Sequence, residues 1–155
     1  AGKTTTISCL TGMIRITSGD AWIYDKNIKD DINDIRQQMG VCPQYDVLWP
    51  TMTVKEHIDL FCDLKGIRHT GNSVRLEADG KAMWDAHRAE AIEKVGLLDK
   101  AMAQSRTLSG GQKRKLSVAI AFLGDPRVVF LDEVENSPLA SQLVATLLSF
   151  ELVHN

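Results

Sequence analysis

The sequence predicts an α/β fold, and three stretches carry that expectation. Val128-Val129-Phe130-Leu131 is a continuous apolar run, the pattern of a strand in a parallel sheet covered on both faces. Met39-Gly40-Val41-Cys42 is a second apolar strand. The stretch that starts at Leu108 and reads LSGGQKRKLSVAIAFLGDPRVVFLDE joins a glycine-rich turn, a helix and the first of these strands in one unit. That strand ends in two carboxylates, Asp132 and Glu133. In open α/β sheets, ligands bind outside the carboxyl ends of the strands.

The chain begins Ala1-Gly2-Lys3-Thr4-Thr5-Thr6, the second half of the phosphate-loop pattern G-x-x-x-x-G-K-[ST]. In that loop, backbone N–H groups surround the phosphates, the lysine reaches the β- and γ-phosphates, and the first hydroxyl binds Mg²⁺. Gly2, Lys3 and Thr4 take those places, and Thr5 is a further phosphate donor. A helix follows with Ile7, Leu10 and Ile14 on its buried face, and Thr17-Ser18-Gly19 ends it. Residues 21–24 read as a short strand, Asp25-Lys26-Asn27 as a turn, and residues 31–38 as a short helix.

Thr53-Val54-Lys55-Glu56 is a capping box that opens another helix, with Val54, Ile58, Phe61 and Leu64 along one face. Residues 66–81 have weak periodicity and two glycine turns, and read as a loop insertion. A helix resumes over residues 85–95, with Ala91, Ile92 and Val95 inward and Glu90/Lys94 as an i,i+4 pair, and Gly96 stops it.

Ser109 and Gln112 have the spacing of a second capping box, so side chains satisfy part of the first turn of the helix they open. Gly110 and Gly111 remove side chains where another molecule could approach the backbone. The remaining free N–H groups and the positive end of the helix dipole favour an anion. Leu116, Ile120 and Leu123 give this helix one buried stripe, and Asp125-Pro126 breaks it.

Composition removes several function classes. With 44% hydrophobic and 25% charged residues, the 155-residue chain suits one modest globular domain. A net charge of −2 gives no sign of a nucleic-acid surface. No apolar run reaches the roughly 18 residues that a membrane span needs. Cys9, Cys42 and Cys62 form no C-x-x-C pair, which speaks against a zinc site or a disulfide framework. His57, His69, His87 and His154 lack metal-ligand spacing and read as surface or packing residues.

Taken together, GKTTT, LSGGQ and VVFLDE occur in the order and spacing of the ATP-binding cassette (ABC) family, which the chain resembles from Ala1 to Glu133 apart from the insertion. LSGGQ resembles the family signature motif, and VVFLDE its Walker B strand with the adjoining glutamate. The wording around residues 40–44, 53–57 and 111–122 is similar to the A subfamily, whose members are mostly lipid exporters.

The resemblance implies an α/β P-loop NTPase core with an inserted helical subdomain at about residues 53–107, incomplete at both ends. Residues 1–133 are then a partial nucleotide-binding domain, and residues 134–155 a divergent tail without the family's D-loop and H-loop pattern. It further implies ATP and Mg²⁺ as ligands. Lys3, Thr4 and Thr5 hold phosphate and metal. Gln44 is the Q-loop glutamine, at the metal and the attacking water. Asp132 holds Mg²⁺ through water, and Glu133 polarises the attacking water. Ser109, Gly110, Gly111 and Gln112 close on the γ-phosphate held by a second nucleotide-binding domain in a head-to-tail ATP sandwich.

Transmembrane domains are expected elsewhere, placing the ATPase on the cytoplasmic face of a membrane. The chain reads as a fragment that begins inside its own phosphate loop, and by itself is expected to be inactive. Two other readings compete: a soluble ABC ATPase without membrane domains, and a catalytically incompetent nucleotide-binding remnant.

Overall fold

The computed structural model describes residues 2–67 and 88–132. Glu133, most of the expected insertion, residues 85–87 of the expected helix, His69, His87, His154 and the tail 134–155 lie outside the described residues. Helices α1 (Lys3–Leu10), α2 (Ile32–Gln37), α3 (Val54–Leu64), α4 (residues 88–94) and α5 (Gly110–Phe122) accompany four strands. These are β1 (Trp22–Ile23), β2 (Lys26–Asn27), β3 (Met39–Cys42) and β4 (Val128–Leu131).

The expected parallel sheet is present. β3 and β4 pair in parallel, with Met39 opposite Val128 and Cys42 opposite Leu131. Side chains alternate as a strand requires. Cys42, Val129 and Leu131 pack with Val118 and Ala121 of α5 on one face. Met39, Val41, Val128 and Phe130 pack with Ile28, Ile35 and Leu10 on the other. Gly40 faces α5 and lets the helix backbone come down onto the strand, because a β-carbon there would lie 2.0 Å from the Ala121 carbonyl oxygen.

α5 is covered on two sides, not along one stripe. Leu116, Ala119, Ile120 and Leu123 join Val54, Ile58 and Cys62 of α3 and Ile92, Val95 and Leu97 around α4. Val118 and Ala121 meet the sheet. The helix therefore stands between the sheet and the α3–α4 pair, and its residues from Leu116 to Ala121 are all buried. Small side chains at Ser117, Ala119 and Ala121 make this double packing possible.

Three expectations differ from the structure. α1 ends at Leu10, not near Gly19. Gly12, at φ 70°, donates to the Cys9 carbonyl at 3.1 Å, and the Met13 N–H donates to Ser8 O at 2.8 Å, a Schellman stop. Ile14 consequently leaves the helix and is 51% exposed. The turn near residue 25 is Tyr24-Asp25, both at positive φ, and Lys26–Asn27 pairs back onto Trp22–Ile23. Two positive-φ residues match the twist of a two-residue hairpin, but the sequence lacks the Asn-Gly that normally marks it. In α3, Leu64 is 70% exposed, and the inward positions are Val54, His57, Ile58 and Cys62.

His57 is fully buried yet satisfied: Nε2 accepts the Trp49 N–H at 2.9 Å, so Nδ1 carries the proton and donates to Thr53 O at 2.7 Å. The Thr53–Glu56 capping box forms as expected, and its hydrogen bonds from Thr53 hold the Glu56 carboxyl below the usual carboxylate range. The segment before α5 is stitched to the start of α3: Val54 N donates to Ala103 O, Ser105 N to Met52 O, and buried Ser105 Oγ to Trp49 O.

Candidate functional site

The expected site residues lie on two helix starts and one strand edge. At α1, Gly2 sits at φ 91° and its carbonyl accepts from Thr6 N and Thr6 Oγ1. Lys3, Thr4 and Thr5 are the first helical residues and all are exposed. No side chain caps this turn, and it carries no acidic residue. An α-helix leaves its first N–H groups without an intrahelical acceptor, so this end can take an anion with its dipole and with the Lys3 charge.

At α5, Ser109 is the N-cap. Its Oγ accepts the Gln112 N–H at 3.2 Å, and its own N–H donates to Gln112 Oε1 at 2.9 Å. Both expected contact side chains are thus engaged in the cap, although the Ser109 hydroxyl hydrogen and the Gln112 amide hydrogens remain to be donated. The N–H groups of Gly110 and Gly111 are the ones the cap leaves over. Nothing lies within 4 Å of a β-carbon placed on Gly110. The chain's own packing does not demand glycine there.

Gln44 follows the carboxyl end of β3, and Asp132 follows that of β4. The Asp132 N–H donates to Cys42 O at 3.0 Å and extends the ladder by one bond. Arg114 of α5 reaches both chains past this point: Nη2 donates to Asp132 O at 2.8 Å, while Nη1 donates to Pro43 O and, at 3.5 Å, to Gln44 O. Asp46, in the same loop, accepts from Ser117 Oγ at 2.8 Å and lies 3.6 Å from Arg114 Nη1.

Asp132, at the carboxyl end of β4, is 5% exposed. No hydrogen bond or ion pair ties the α1 turn or the Ser109–Gln112 turn to Asp132 among the described residues. Glu133, the other expected carboxylate, lies outside them.

The donor chemistry suits a hard cation. Thr4 offers a hydroxyl, Gln44 an amide oxygen and Asp132 a carboxylate, all oxygen ligands of the type Mg²⁺ takes along with phosphate oxygens. No cluster of three or more His, Cys, Asp or Glu that could hold a metal ion exists among the described residues. Burial pushes the thiol of Cys42, directly behind the edge, up to about 11 despite the opposing Arg114 charge.

Arg114, Asp46 and Ser117 escape the sequence reading. The available signal was positional, since Arg114, Ser117, Val118 and Ala121 share the face of α5 that meets the sheet, and a cation there needs acceptors. Lys65 also escapes it. Its Nζ donates to Leu123 O at 2.7 Å, closing the end of α5, and burial lowers its pKa to about 8.

The family model described as "ABC transporter" matches residues 1–136. "ABC transporter A family member 2" of Arabidopsis thaliana is 40% identical over 135 residues, covering 86% of this chain and 12% of that protein. "ATP-binding cassette sub-family A member 2" of Homo sapiens is 44% identical over 133 residues, 86% of this chain and 5% of that protein. The chain thus spans a small part of the curated relatives it matches. A solved structure titled "Structure of ATP binding subunit of ABC transporter" shares the fold, with TM-score 0.72 over 94% of this chain and 57% of that one, at 24% identity.

Proposed function

Because this chain belongs to the ABC transporter family, we propose that it supplies part of an ATP-binding and ATP-hydrolysing unit of a membrane transporter. The observation that supports this reading is the parallel pairing of β3 with β4, whose carboxyl ends lead into Gln44 and Asp132. The cargo class, lipid, rests on the resemblance to the A subfamily. No helix among the described residues is long and apolar enough to cross a membrane. The membrane part is therefore assigned to other segments or chains, with this unit on the cytoplasmic face.

In this reading the α1 turn holds the phosphates. Lys3 supplies a fixed positive charge, and the first N–H groups of the helix donate to phosphate oxygens. Thr4, Gln44 and Asp132 hold Mg²⁺, which neutralises charge developing on the phosphates. Glu133 accepts hydrogen bonds from the attacking water and orients it, with Gln44 beside it. The Ser109–Gln112 turn closes on the γ-phosphate of a second nucleotide-binding domain, with Gly110 and Gly111 admitting the phosphate to backbone distance. Catalysis is mostly positioning and charge stabilisation.

The test is isothermal titration of the chain with ATP and Mg²⁺, beside Lys3→Ala. Loss of one charged donor should weaken binding by roughly 1.5 to 3 kcal/mol, about tenfold to a hundredfold or more. An unchanged affinity in the variant removes the α1 turn from the nucleotide site.

A further inference from the structure

We propose that Arg114 is a positioning residue for the reaction: it fixes Gln44 relative to Asp132, and ties both to the helix that carries the Ser109–Gln112 turn. The proposal rests on the nucleotide reading above and deepens it. The ladder between β3 and β4 stops with the Asp132 N–H on Cys42 O. Past that point each chain carries one residue placed at the metal in the proposed reading, Gln44 after β3 and Asp132 after β4.

Arg114 reaches both from α5 with a side chain 11% exposed. One guanidinium nitrogen takes the Pro43–Gln44 side and the other takes Asp132. Asp46 anchors the same loop a second time to α5, through Ser117 Oγ. Every one of these anchors stands on one helix, on the face that also meets the sheet. The groups for the chain's own nucleotide and the turn that faces a partner's nucleotide therefore share a single rigid element.

The chemistry requires arginine. A planar guanidinium spans acceptors on two strands with separate nitrogens, whereas an ammonium is a point charge on a flexible stem. Charge alone could be met by lysine, but a fixed spacing between two carbonyl groups could not.

The experiment uses the intact chain with Arg114→Gln and Arg114→Lys. It measures ATP affinity in EDTA, apparent Mg²⁺ affinity at saturating ATP, and amide hydrogen exchange without ligand. Outer partners of metal ligands typically account for 10- to 100-fold in metal affinity, so Mg²⁺ affinity should fall by about that factor in both variants. ATP affinity in EDTA should stay at the wild-type value, and exchange should rise at Gln44, Asp46 and Asp132 but not within α3.

Equal losses with and without Mg²⁺ would mean that Arg114 only supports the fold, and would overturn the proposal. So would rescue by lysine, or wild-type Mg²⁺ affinity in Arg114→Gln. A wild-type chain that binds no ATP overturns the nucleotide reading itself and this proposal with it, an outcome distinct from the other three.

Discussion

Gly40 of β3 lies directly beneath the Ala121 carbonyl of α5, too close for any side chain. The contact sets how near the helix bearing Ser109–Gln112 and Arg114 can approach the strand that leads to Gln44. Gly40→Ala must therefore lift α5 or bend β3, and the obstacle is backbone, not a flexible side-chain tip. Overpacking of this kind costs about 1 to 3 kcal/mol. Urea unfolding should show a lower midpoint with an unchanged slope. A variant as stable as the parent would mean that α5 does not rest on this strand.

Ser109→Arg separates local stability from nucleotide contact. The N-cap bond to Gln112 is lost, which costs about 0.5 to 2 kcal/mol of stability. ATP affinity of the single chain should nonetheless match the parent, because in the proposed reading the turn serves a nucleotide held by a second domain. A thermal melt checks the first expectation and calorimetric titration the second. Loss of ATP binding in a chain that still melts cooperatively would place the turn at the chain's own nucleotide.

Lys65 gives stability a pH dependence with a definite sign. Burial lowers its folded pKa to about 8 from an ordinary 10.5. Between those values the unfolded chain binds a proton that the folded chain does not, so stability rises with pH across the window and is lost as pH falls to 8. The contribution is at most about 3.5 kcal/mol, since each pKa unit is worth about 1.4. The carbonyls of Leu123 and Ala121, which favour the ammonium, act to shrink it.

Buried Cys42 and Cys62, both raised to about 11, act in the opposite sense above pH 9. The clean comparison is therefore the difference between the parent and Lys65→Met, followed by chemical denaturation from pH 7.5 to 10.5. A variant with the same slope as the parent would show that Lys65 stays charged throughout.

The legible parts of this chain are those where local chemistry decides. β3 and β4 were readable because apolar runs of four residues with glycine or proline nearby have few other uses. Both capping boxes were readable because Thr53 with Glu56 and Ser109 with Gln112 answer only to the helix they open. The hairpin turn was misplaced because Tyr24 and Asp25 take positive φ without glycine, held by contacts far away: Tyr24 hydroxyl on Arg127 O, and the Arg127 guanidinium 4.0 Å above the Tyr24 ring.

The end of α1 was missed for a different reason. Ile7, Leu10 and Ile14 continue a helical period past Gly12, but Arg36 reaches the Thr11 and Gly12 carbonyls and secures the chain end instead. In the site, residues of the phosphate-loop and signature patterns announced themselves by type. Arg114 and Asp46 did not, because their role exists only once two distant strand ends stand next to each other.

Parallel pairing of Met39–Cys42 with Val128–Leu131 also orders events on the ribosome. β3 is complete long before its neighbour exists. At 5 to 20 residues per second, synthesis of the segment between them takes roughly 4 to 18 seconds. Throughout that interval a nascent apolar strand carries an open row of N–H and C=O groups and no α5 to cover Cys42. Another emerging strand of the same polysome can bind there, so crowding of nascent chains is a condition under which this fold is exposed to mispairing.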